Sequence, residues 1–336
     1  MEVALVDPSS YSLPYDNSYL CALSKHHQVD FFCSESINLK DYRQDIKKYA
    51  NSFYVYKVSP ISNNRFFGLI NYLRMLASIV INYRKYKYIH FQWSIFFPFE
   101  LVFFLLFRNK IIFTVHNDVP HGFKGHRKFS YYILSKLSKK NIFVSDFTLN
   151  RFEKNYFKGE KNIVVQHGLM YLNGCDLKIQ DRRSRKYDLV FWGRIEDYKG
   201  LGVFLNLELQ FLEVGIFGHW SKALLCMKEE LATVSSFVIN DQFISETLVC
   251  ELVNQKNIFI LPYKSATQSG ILYTILAHRV VFIASNVGEN ASFLMNNDLK
   301  ELIFDRTKPN DILRAYQYAK DNYDDLMLML YSIDGN

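Results

Sequence analysis

The strongest constraint on the fold is a regular alternation between short apolar runs and helix-like segments. The first run, "VALVD" (3–7), is followed by a helical pattern in "YDNSYLCALSKH" and by a second apolar run in "QVDFFCSE". Such alternation predicts parallel sheets that are covered by helices on both faces. Because ligands in these folds bind beyond the carboxyl ends of the strands, functional residues are expected at the strand ends.

The alternation occurs as two series. The first series continues through "YKYIHFQW", "KIIFTVHN", "KNIFVSD" and "KNIVVQHGL". After the charged stretch "KIQDRRSRKYD", the second series has predicted strands in "DLVFWG", "FLEVGIFG", "NIFILPY" and "VVFIAS", and predicted helices in "LGVFLNLEL", "SKALLCMKEELA", "SETLVCELVN" and "GILYTILAH".

Two doubly wound α/β domains are therefore predicted, and a chain of 336 residues is long enough for two cores. The predicted limits are residues 1–167 for the first domain, 168–186 for a linker and 187–310 for the second domain. The final segment, 311–336, has apolar residues at helical spacing, and packing of this segment against the first domain is one alternative.

The cysteines and the apolar segments indicate a cytoplasmic protein. Five cysteines, widely spaced and without a CxxC pair, predict neither a disulfide framework nor a zinc site. The start, "MEVALVDPSS", lacks the pattern of a secretory signal. The longest apolar segment, "IFFPFELVFFLLF" (95–107), contains Pro98 and Glu100 and is shorter than the roughly 20 residues that span a bilayer. No transmembrane helix is expected.

Positive charge is concentrated in one part of the chain. The formal net charge is +7, and residues 61–110 hold seven basic residues against one acid, interleaved with aromatic residues. This composition is typical of contact with nucleic acid or with an anionic membrane surface. The alternative is a buried helix and strand with cations at their solvated ends. Because no DNA- or RNA-binding module is recognisable, nucleic acid is not an expected partner.

The stretch "FWGRIEDYKG" (191–200) places Arg194 and Lys199 between a strand and a helix start. Backbone N–H groups and the dipole at a helix start favour an anion, and arginine adds a forked donor that suits phosphate oxygens. Taken alone, the stretch is better explained by two cations that keep a loop solvated.

A second polar loop lies in "LPYKSATQSGIL" (261–272), where Gln268, Ser269 and Gly270 precede an apolar helix. Glycine allows another group to approach the backbone, and the amides at the helix start can receive a phosphate. The alternative is an ordinary helix with Ser269 as its cap.

The third candidate is "FTVHNDVPHG", where His116 and Asn117 end a strand and His121 follows. A structural histidine is the alternative. No cysteine or further histidine stands at metal-ligand spacing, so no metal site is predicted.

Seven stretches, in order along nearly the whole chain, resemble the family 4 retaining glycosyltransferases of the GT-B fold, in particular bacterial enzymes of capsule, exopolysaccharide and O-antigen assembly. They are "LPYDNSYLCAL", "IHFQW", "TVHNDVPH", "VVQHGL", "FWGRIEDYKGL", "INDQFIS" and "LPYKSATQSGIL". The resemblance implies two Rossmann-like domains that face each other across a cleft. It also implies a nucleotide-sugar donor such as a UDP- or GDP-sugar, bound by the second domain without a cofactor or metal.

The resemblance also implies roles for individual residues. The residues implied to bind the donor diphosphate are Arg194, Lys199, Gln268, Ser269 and Gly270. The residues implied to lie along the nucleotide are Gly218, His219, Gln242, Phe243, Ile244 and Thr274. The residues implied to face the acceptor are Pro14, Tyr15, Asp16, Trp93, Asn117 and His121. His116 would lie over the donor sugar and, with Arg194 and Lys199, take part in catalysis.

The chain departs from the family pattern at the donor site. Many members carry two glutamates eight positions apart after the "LPY" strand, and Ala266 and Thr274 stand at those positions here. Arg279 and Val281 replace a Gly-Pro pair, and "SSYSLPYDNS" stands where a Gly-Gly is common. The missing glutamates keep open the alternative of a catalytically weak binding or scaffold protein.

The function implied by the resemblance is transfer of a sugar, with retention of configuration, to a lipid-linked or oligosaccharide acceptor. This reaction belongs to the assembly of bacterial surface polysaccharides. The expected location is the cytoplasm, peripheral at the inner face of the plasma membrane, with the segment 61–110 in contact with anionic lipid.

Overall fold

The computed structural model describes residues 2–10, 12–36, 39–58, 65–116, 126–172, 175, 184–265 and 269–333. Contacts divide the chain into two compact units, residues 1–168 and residues 169–336. Each unit is built on one parallel sheet, as the alternation of strands and helices predicts.

The first unit contains a seven-stranded sheet in which every neighbouring pair of strands is parallel. Its strands are β1 (Glu2–Asp7), β2 (Gln28–Ser34), β3 (Ser52–Tyr56), β4 (Tyr86–Phe91), β5 (Ile111–Val115), β6 (Lys140–Phe143) and β7 (Asn162–Val164). The order across the sheet is β3-β2-β1-β4-β5-β6-β7.

Six helices cover the two faces of this sheet. They are α1 (Leu13–Ser24), α2 (Leu39–Tyr49), α3 (Arg65–Ile81), α4 (Phe97–Phe107), α5 (His126–Leu137) and α6 (Asp146–Asn155). Alternate side chains of β1 point to opposite faces: Leu5 packs with α1 and α2, whereas Ala4 and Val6 pack with α3 to α6. The sheet is therefore buried on both sides, which explains why most residues of its central strands are apolar.

The second unit contains a six-stranded sheet, again parallel throughout. Its strands are β8 (Leu189–Trp192), β9 (Val214–Phe217), β10 (Phe237–Asn240), β11 (Ile258–Leu261), β12 (Phe282–Ser285) and β13 (Ile303–Phe304). The order is β10-β9-β8-β11-β12-β13, so the two sheets share one winding pattern.

The helices of the second unit are α7 (Leu225–Leu231), α8 (Glu246–Val253), α9 (Gly270–Ala277), α10 (Gly288–Asn296), α11 (Pro309–Asp321) and α12 (Tyr323–Ile333). Ser245 caps α8 by accepting a hydrogen bond from the N–H of Leu248 at 3.3 Å. The last two helices bury Ile312, Tyr316 and Leu326 in the core of this second unit.

Several elements differ from the sequence expectations. The sequence names no strand at β3, β10 or β13, which are edge or short strands whose half-buried or two-residue patterns carry little apolar signal. The predicted helix over 201–209 forms 3₁₀ turns at Leu201–Leu205 and Leu207–Leu209. The pattern over 311–330 forms two helices, which are separated at Asn322.

The expectation that the cysteines form no disulfide is wrong for one pair. Cys175 and Cys250 are joined by a disulfide, although 75 positions separate them in the sequence. Their Cα atoms lie 5.6 Å apart because α8 packs beside the start of the second unit. Spacing along the chain gives no sign of such a contact, which only the tertiary fold produces.

No helix within the described residues is long and apolar enough to cross a membrane. The apolar segment that contains α4 forms a helix of 11 residues.

Candidate functional site

In both sheets the strand order changes direction beside the first strand, between β1 and β4 and between β8 and β11. The loops on the two sides of such a point diverge, which leaves a crevice at the carboxyl ends of the strands where ligands bind in α/β folds. Arg194 follows β8, and Lys199 lies farther along the same loop. His116 directly follows β5, the neighbour of β4.

Glycines hold the loops of the second unit together at this crevice. Gly200 has φ of +73°, and a Cβ atom there would lie 2.0 Å from the carbonyl oxygen of Pro262 after β11. Gly218 has φ of +150°, and its Cβ would lie 1.8 Å from the carbonyl oxygen of Gly193 after β8. Only residues without a side chain fit these two approaches.

Lys199 is buried, with 7% of its surface exposed. Its Nζ lies 3.9 Å from the ring centroid of Tyr263 and 5.2 Å from that of Tyr198. These ring faces attract the cation, while burial disfavours its charge. Burial, and secondly the charge of Arg194, lower the pKa of Lys199 to about 7. Lys199 is therefore unlike the solvated loop lysine that the sequence left as an alternative.

Arg194 is exposed at the surface beside this buried lysine. Its guanidinium hydrogen-bonds the hydroxyl of Tyr198. Among the described residues, no carboxylate forms an ion pair with Lys199. Two neighbouring cations with this arrangement are suited to an oxyanion, whose charge would offset their mutual repulsion.

Tyr263 connects this cationic loop to the second predicted stretch. Its hydroxyl lies 3.2 Å from the hydroxyl of Ser269, the residue that precedes α9. Ser269 makes no side-chain capping bond to its own helix, so the alternative of a serine-capped helix is not what the structure shows. Gly270 begins α9, and its nearest non-neighbouring atom would be the Sδ of Met170, 3.6 Å from an added Cβ.

The residues expected along the nucleotide have different environments. Nδ1 of His219 lies 3.3 Å from a carboxylate oxygen of Asp241. Gln242, Phe243 and Ile244 lie between β10 and α8, with the ring of Phe243 70% exposed. Thr274 is buried, and its hydroxyl donates to the carbonyl of Gly270 at 3.1 Å.

In the first unit, His116 is buried in an aromatic setting. Its ring stacks on Trp93 with a centroid distance of 4.3 Å, and its Nε2 lies 3.2 Å from Oε1 of Gln92. Tyr15 approaches it edge-on, with ring centroids 5.2 Å apart. The ends of β4 and β5 and the first turn of α1, which also contains Pro14, are thus brought together.

Asp16, the residue after Tyr15, is one of two buried acids at this crevice. Asp16 lies close to Asp7, the last residue of β1, and both residues are fully buried. Burial first, and then the Asp7 charge, raise the pKa of Asp16 well above its usual range. Burial and the neighbouring charge thus favour the protonated form of Asp16. The ring centroid of His167 lies 4.7 Å from that of Tyr15, and burial lowers the pKa of His167 to about 4, which keeps that ring neutral.

The structure also shows site residues that the sequence did not single out. In the second unit these are Tyr198 and Tyr263, and in the first unit they are Asp7, Gln92 and His167. Each lies at a strand end or inside a stretch that the sequence analysis quotes, so position at a strand end was the available signal. Gln268, Asn117 and His121, with Ala266, lie outside the described residues. No cluster of three potential metal-ligating side chains occurs in the described part of the chain.

Comparison with known proteins assigns the fold. Residues 19–169, a little under half of the chain, match the family model described as Glycosyltransferase Family 4. No curated protein matches the sequence. The two parallel-sheet, Rossmann-like units match solved GT-B glycosyltransferase structures, which confirms the predicted fold class.

Three similar structures illustrate the match. A glycosyltransferase from Rickettsia africae aligns with a TM-score of 0.67 at 16% identity and covers 100% of this chain and 93% of its own. Anabaena HepE in complex with UDP-glucose has a TM-score of 0.68 at 10% identity and covers 98% and 92%. WaaG, a glycosyltransferase of lipopolysaccharide biosynthesis, has a TM-score of 0.63 at 11% identity and covers 98% and 94%. At these identities the likeness shows the fold alone.

We predict that Gly200→Ala lowers the free energy of unfolding by roughly 2–4 kcal/mol, because the new methyl group collides with the Pro262 carbonyl at a left-handed backbone position. Gly202→Ala is the matched control, since the nearest non-neighbouring atom to an added Cβ there is 3.8 Å away. Denaturant unfolding of both variants measures the difference. Equal stability of the two variants would contradict the argued close approach.

The buried charge of Lys199 predicts that the free energy of unfolding depends on pH. Its pKa is lowered to about 7 in the folded protein from the ordinary lysine value of 10.5, so the unfolded state binds more protons between these values. The cost of burying its charge is present in full below pH 7 and disappears as pH rises toward about 10.5. Lys199→Met, which keeps the apolar volume, should remove this component. We expect the stability gain of the variant over wild type, from denaturant unfolding, to shrink between pH 7 and 9.

Proposed function

We propose that this protein is a retaining glycosyltransferase that moves a sugar from a nucleotide-sugar to a saccharide acceptor. The observation that carries the proposal is the buried Lys199 beside Arg194, at the point where the second sheet changes direction. The family 4 match over residues 19–169 and the GT-B fold support the same conclusion. UDP-glucose bound to the similar Anabaena protein supports a UDP-sugar as the donor.

In the proposed reaction the donor diphosphate lies against Lys199 and Arg194. A diphosphate brought to a lysine with a pKa of about 7 raises that pKa, so donor binding at neutral pH is accompanied by proton uptake. Negative charge grows on the diphosphate as the sugar–oxygen bond breaks, and the two cations stabilise that charge. Two fixed cations supply the stabilisation that a divalent metal provides in other transferases, so we propose metal-independent transfer.

Tyr263 holds the diphosphate loop in place in this proposal. Its ring lies against the Lys199 ammonium, and its hydroxyl meets Ser269 at the start of α9. The first amides of α9, including that of Gly270, then face the same diphosphate. In this proposal Tyr263 therefore positions both the loop that carries Lys199 and the start of α9 around the same diphosphate.

For the first unit we propose that His116 acts near the donor sugar and that Tyr15, Asp16 and Trp93 face the acceptor. Retention is assigned to a front-face route, in which a leaving phosphate oxygen takes the proton of the attacking hydroxyl. No carboxylate nucleophile is required by that route. The raised pKa of Asp16 is consistent with it, because burial beside Asp7 disfavours the ionised carboxylate that a nucleophile would require.

The acceptor is proposed to be a lipid-linked saccharide of bacterial surface polysaccharide assembly. The similarity to WaaG, a protein of lipopolysaccharide biosynthesis, supports this assignment.

One observation favours a second candidate, a catalytically weak protein that binds a nucleotide-sugar in the same pathway. Thr274 stands at the position of the second family glutamate, and its hydroxyl donates a hydrogen bond to the carbonyl of Gly270 in its own helix. It cannot replace a carboxylate in holding the ribose without giving up that bond. Measured turnover with a purified donor and acceptor distinguishes an enzyme from a binding protein.

We expect Lys199→Met and Arg194→Ala each to lower kcat/KM by about 100-fold or more, because each removes a donor that stabilises charge on the leaving diphosphate. Lys300→Ala, which changes an exposed lysine, is the control and should leave kcat/KM unchanged. Lys199→Met should stay folded, because a neutral side chain is less costly to bury than a cation. Wild-type turnover in both site variants would remove the diphosphate assignment.

Thermal unfolding with UDP-glucose, UDP-N-acetylglucosamine and GDP-mannose identifies the donor base. A ligand at 100 times its Kd stabilises the folded state by about 2.7 kcal/mol, so a true donor raises Tm measurably. We expect one UDP-sugar to do so in the wild type and to have a much smaller effect in Lys199→Met. If no nucleotide-sugar raises the wild-type Tm, the proposed site is wrong.

A further inference from the structure

Helix α4 is apolar on both of its faces. Its inner side buries Phe103 and Phe104 against the sheet. Its outer side exposes Phe99, Val102, Leu105 and Leu106, with Leu106 73% exposed. A surface helix of a soluble domain normally turns polar residues outward. Folding of the first unit alone therefore does not explain the exposed apolar residues of α4.

Helix α3 continues the apolar surface beside α4. The ring of Tyr72 on α3 lies 5.2 Å from that of Phe96, and the ring of Tyr83 lies 5.6 Å from that of Phe107. These contacts hold the two helices on the same face of the sheet. We call their outward side the α3–α4 surface; its exposed apolar residues are Phe66, Phe67, Leu73, Val80, Ile81, Phe99, Val102, Leu105 and Leu106.

No negative charge is exposed on this surface. Between residues 65 and 116 the sole acid is Glu100, and it is fully buried. Its Oε1 accepts hydrogen bonds from the hydroxyl of Tyr72 at 2.9 Å and from the N–H groups of Ile95 and Phe96 at 2.7 and 3.0 Å. Ser94 donates to its other oxygen. The carboxyl therefore fixes the start of α4 from inside and contributes nothing to the outer charge.

The exposed charge in this region is cationic. Arg74, Arg84, Lys87 and Arg108 are exposed on or beside the two helices. Lys85 is different, because it forms an ion pair with Asp30 at 2.5 Å. An apolar surface bordered by cations and lacking acids complements an anionic, amphiphilic partner.

A surface hollow of about 440 Å³ adds a place for a headgroup. It is lined by Tyr83, Leu106, Phe107, Asn109 and Lys110. The Lys110 ammonium is anchored, since it donates to the carbonyls of Tyr83 at 2.8 Å and Tyr86 at 2.7 Å. A fixed cation beside apolar walls suits a phosphate group that continues into acyl chains.

We propose that the α3–α4 surface docks on an anionic lipid bilayer. The apolar side chains enter the boundary between headgroups and acyl chains, and the bordering arginines and lysines meet lipid phosphates. The 11 residues of α4 are too few to cross the bilayer, so the helix lies in the plane of the membrane. Charge decides against a second copy of the chain as the occupant, because two copies would bring cations against cations.

The sequence left two alternatives for the segment 61–110, an anionic membrane contact or a buried helix and strand, and the structure relates each to a different side of the helices. The inner halves of α3, β4 and α4 form core, with Tyr72, Tyr86 and Phe91 fully buried, as the buried-segment alternative predicts. The outer halves of α3 and α4 expose apolar residues, which core packing does not require. Docking is thus a property of one helical face rather than of the whole basic and aromatic segment.

This inference extends the proposed function, because a lipid-linked acceptor is reached at a membrane. Its test nevertheless uses neither donor nor acceptor. The full chain is mixed with two kinds of vesicle, one of phosphatidylcholine alone and one that also contains about 30 mol% of the anionic lipid phosphatidylglycerol. The bound fraction is measured by flotation. We expect binding to the anionic vesicles that weakens with salt but persists, since burial of the apolar side chains is not screened.

Matched variants assign the binding to the α3–α4 surface. Leu106→Asp should lower the partition coefficient by about tenfold or more, because it withdraws one leucine side chain and adds a negative charge. Leu328→Asp changes a leucine that is 59% exposed on α12 and should leave binding unchanged. Arg84→Glu combined with Arg108→Glu should weaken binding to anionic vesicles by about tenfold or more, whereas Lys320→Glu on α11 should not.

Three results would overturn the proposal: no flotation of the wild type, equal loss in Leu106→Asp and Leu328→Asp, or a dimer without vesicles that Leu106→Asp disrupts. A cooperative thermal unfolding transition of the Leu106→Asp variant, measured without ligand, shows that it is folded. Vesicle binding by a wild type that no nucleotide-sugar stabilises would refute the glycosyltransferase proposal and leave docking intact.

Discussion

The contact between backbones at Gly200 and Pro262 is the constraint on which the second unit's site depends. It brings the loop after β8 against the end of β11, with no room for a side chain between them. As a result Lys199 lies under the ring of Tyr263 instead of reaching solvent. Burying a lysine is unfavourable, and the aromatic contact offsets only part of that cost. The site therefore holds a lysine whose charged form an anionic ligand would stabilise.

The crevices of the two units differ in charge although their sheets share one winding pattern. The second unit places two cations at its strand ends, where an anion would bind. The first unit places buried or aromatic groups there: the acids Asp7 and Asp16, the neutral ring of His167 and the stacked rings of Trp93 and His116. Aromatic rings with a few buried polar groups are typical of saccharide-sized neutral ligands. Within the proposed function, this difference matches a charged donor and an uncharged acceptor.

The α3–α4 surface shows how one sequence segment serves two requirements. Its inner side chains complete the core of the first unit, and Glu100 ties the start of α4 to Tyr72. The outer side chains have no such role in the described structure, and an apolar face of this extent reduces solubility. A membrane partner would cover it, which accounts for the retention of phenylalanine, valine and leucine at exposed positions.

The sequence by itself determined the parallel α/β class, the series of strands, and the strand-end location of Arg194, Lys199 and His116. These follow from local periodicity and from the geometry of parallel sheets, which a linear pattern records. It did not indicate the edge strands β3, β10 and β13, because short or half-buried strands leave a weak pattern.

Only the tertiary structure decided which of these side chains are buried and which groups they contact. The lowered pKa of Lys199, its ring contact with Tyr263, the raised pKa of Asp16 and the disulfide between Cys175 and Cys250 all depend on residues distant in sequence. The outward apolar face of α4 has the same origin, since a helix with apolar residues all round gives no sign of which side the core leaves uncovered. Local pattern specifies the elements, whereas desolvation and contact arise from how the elements pack.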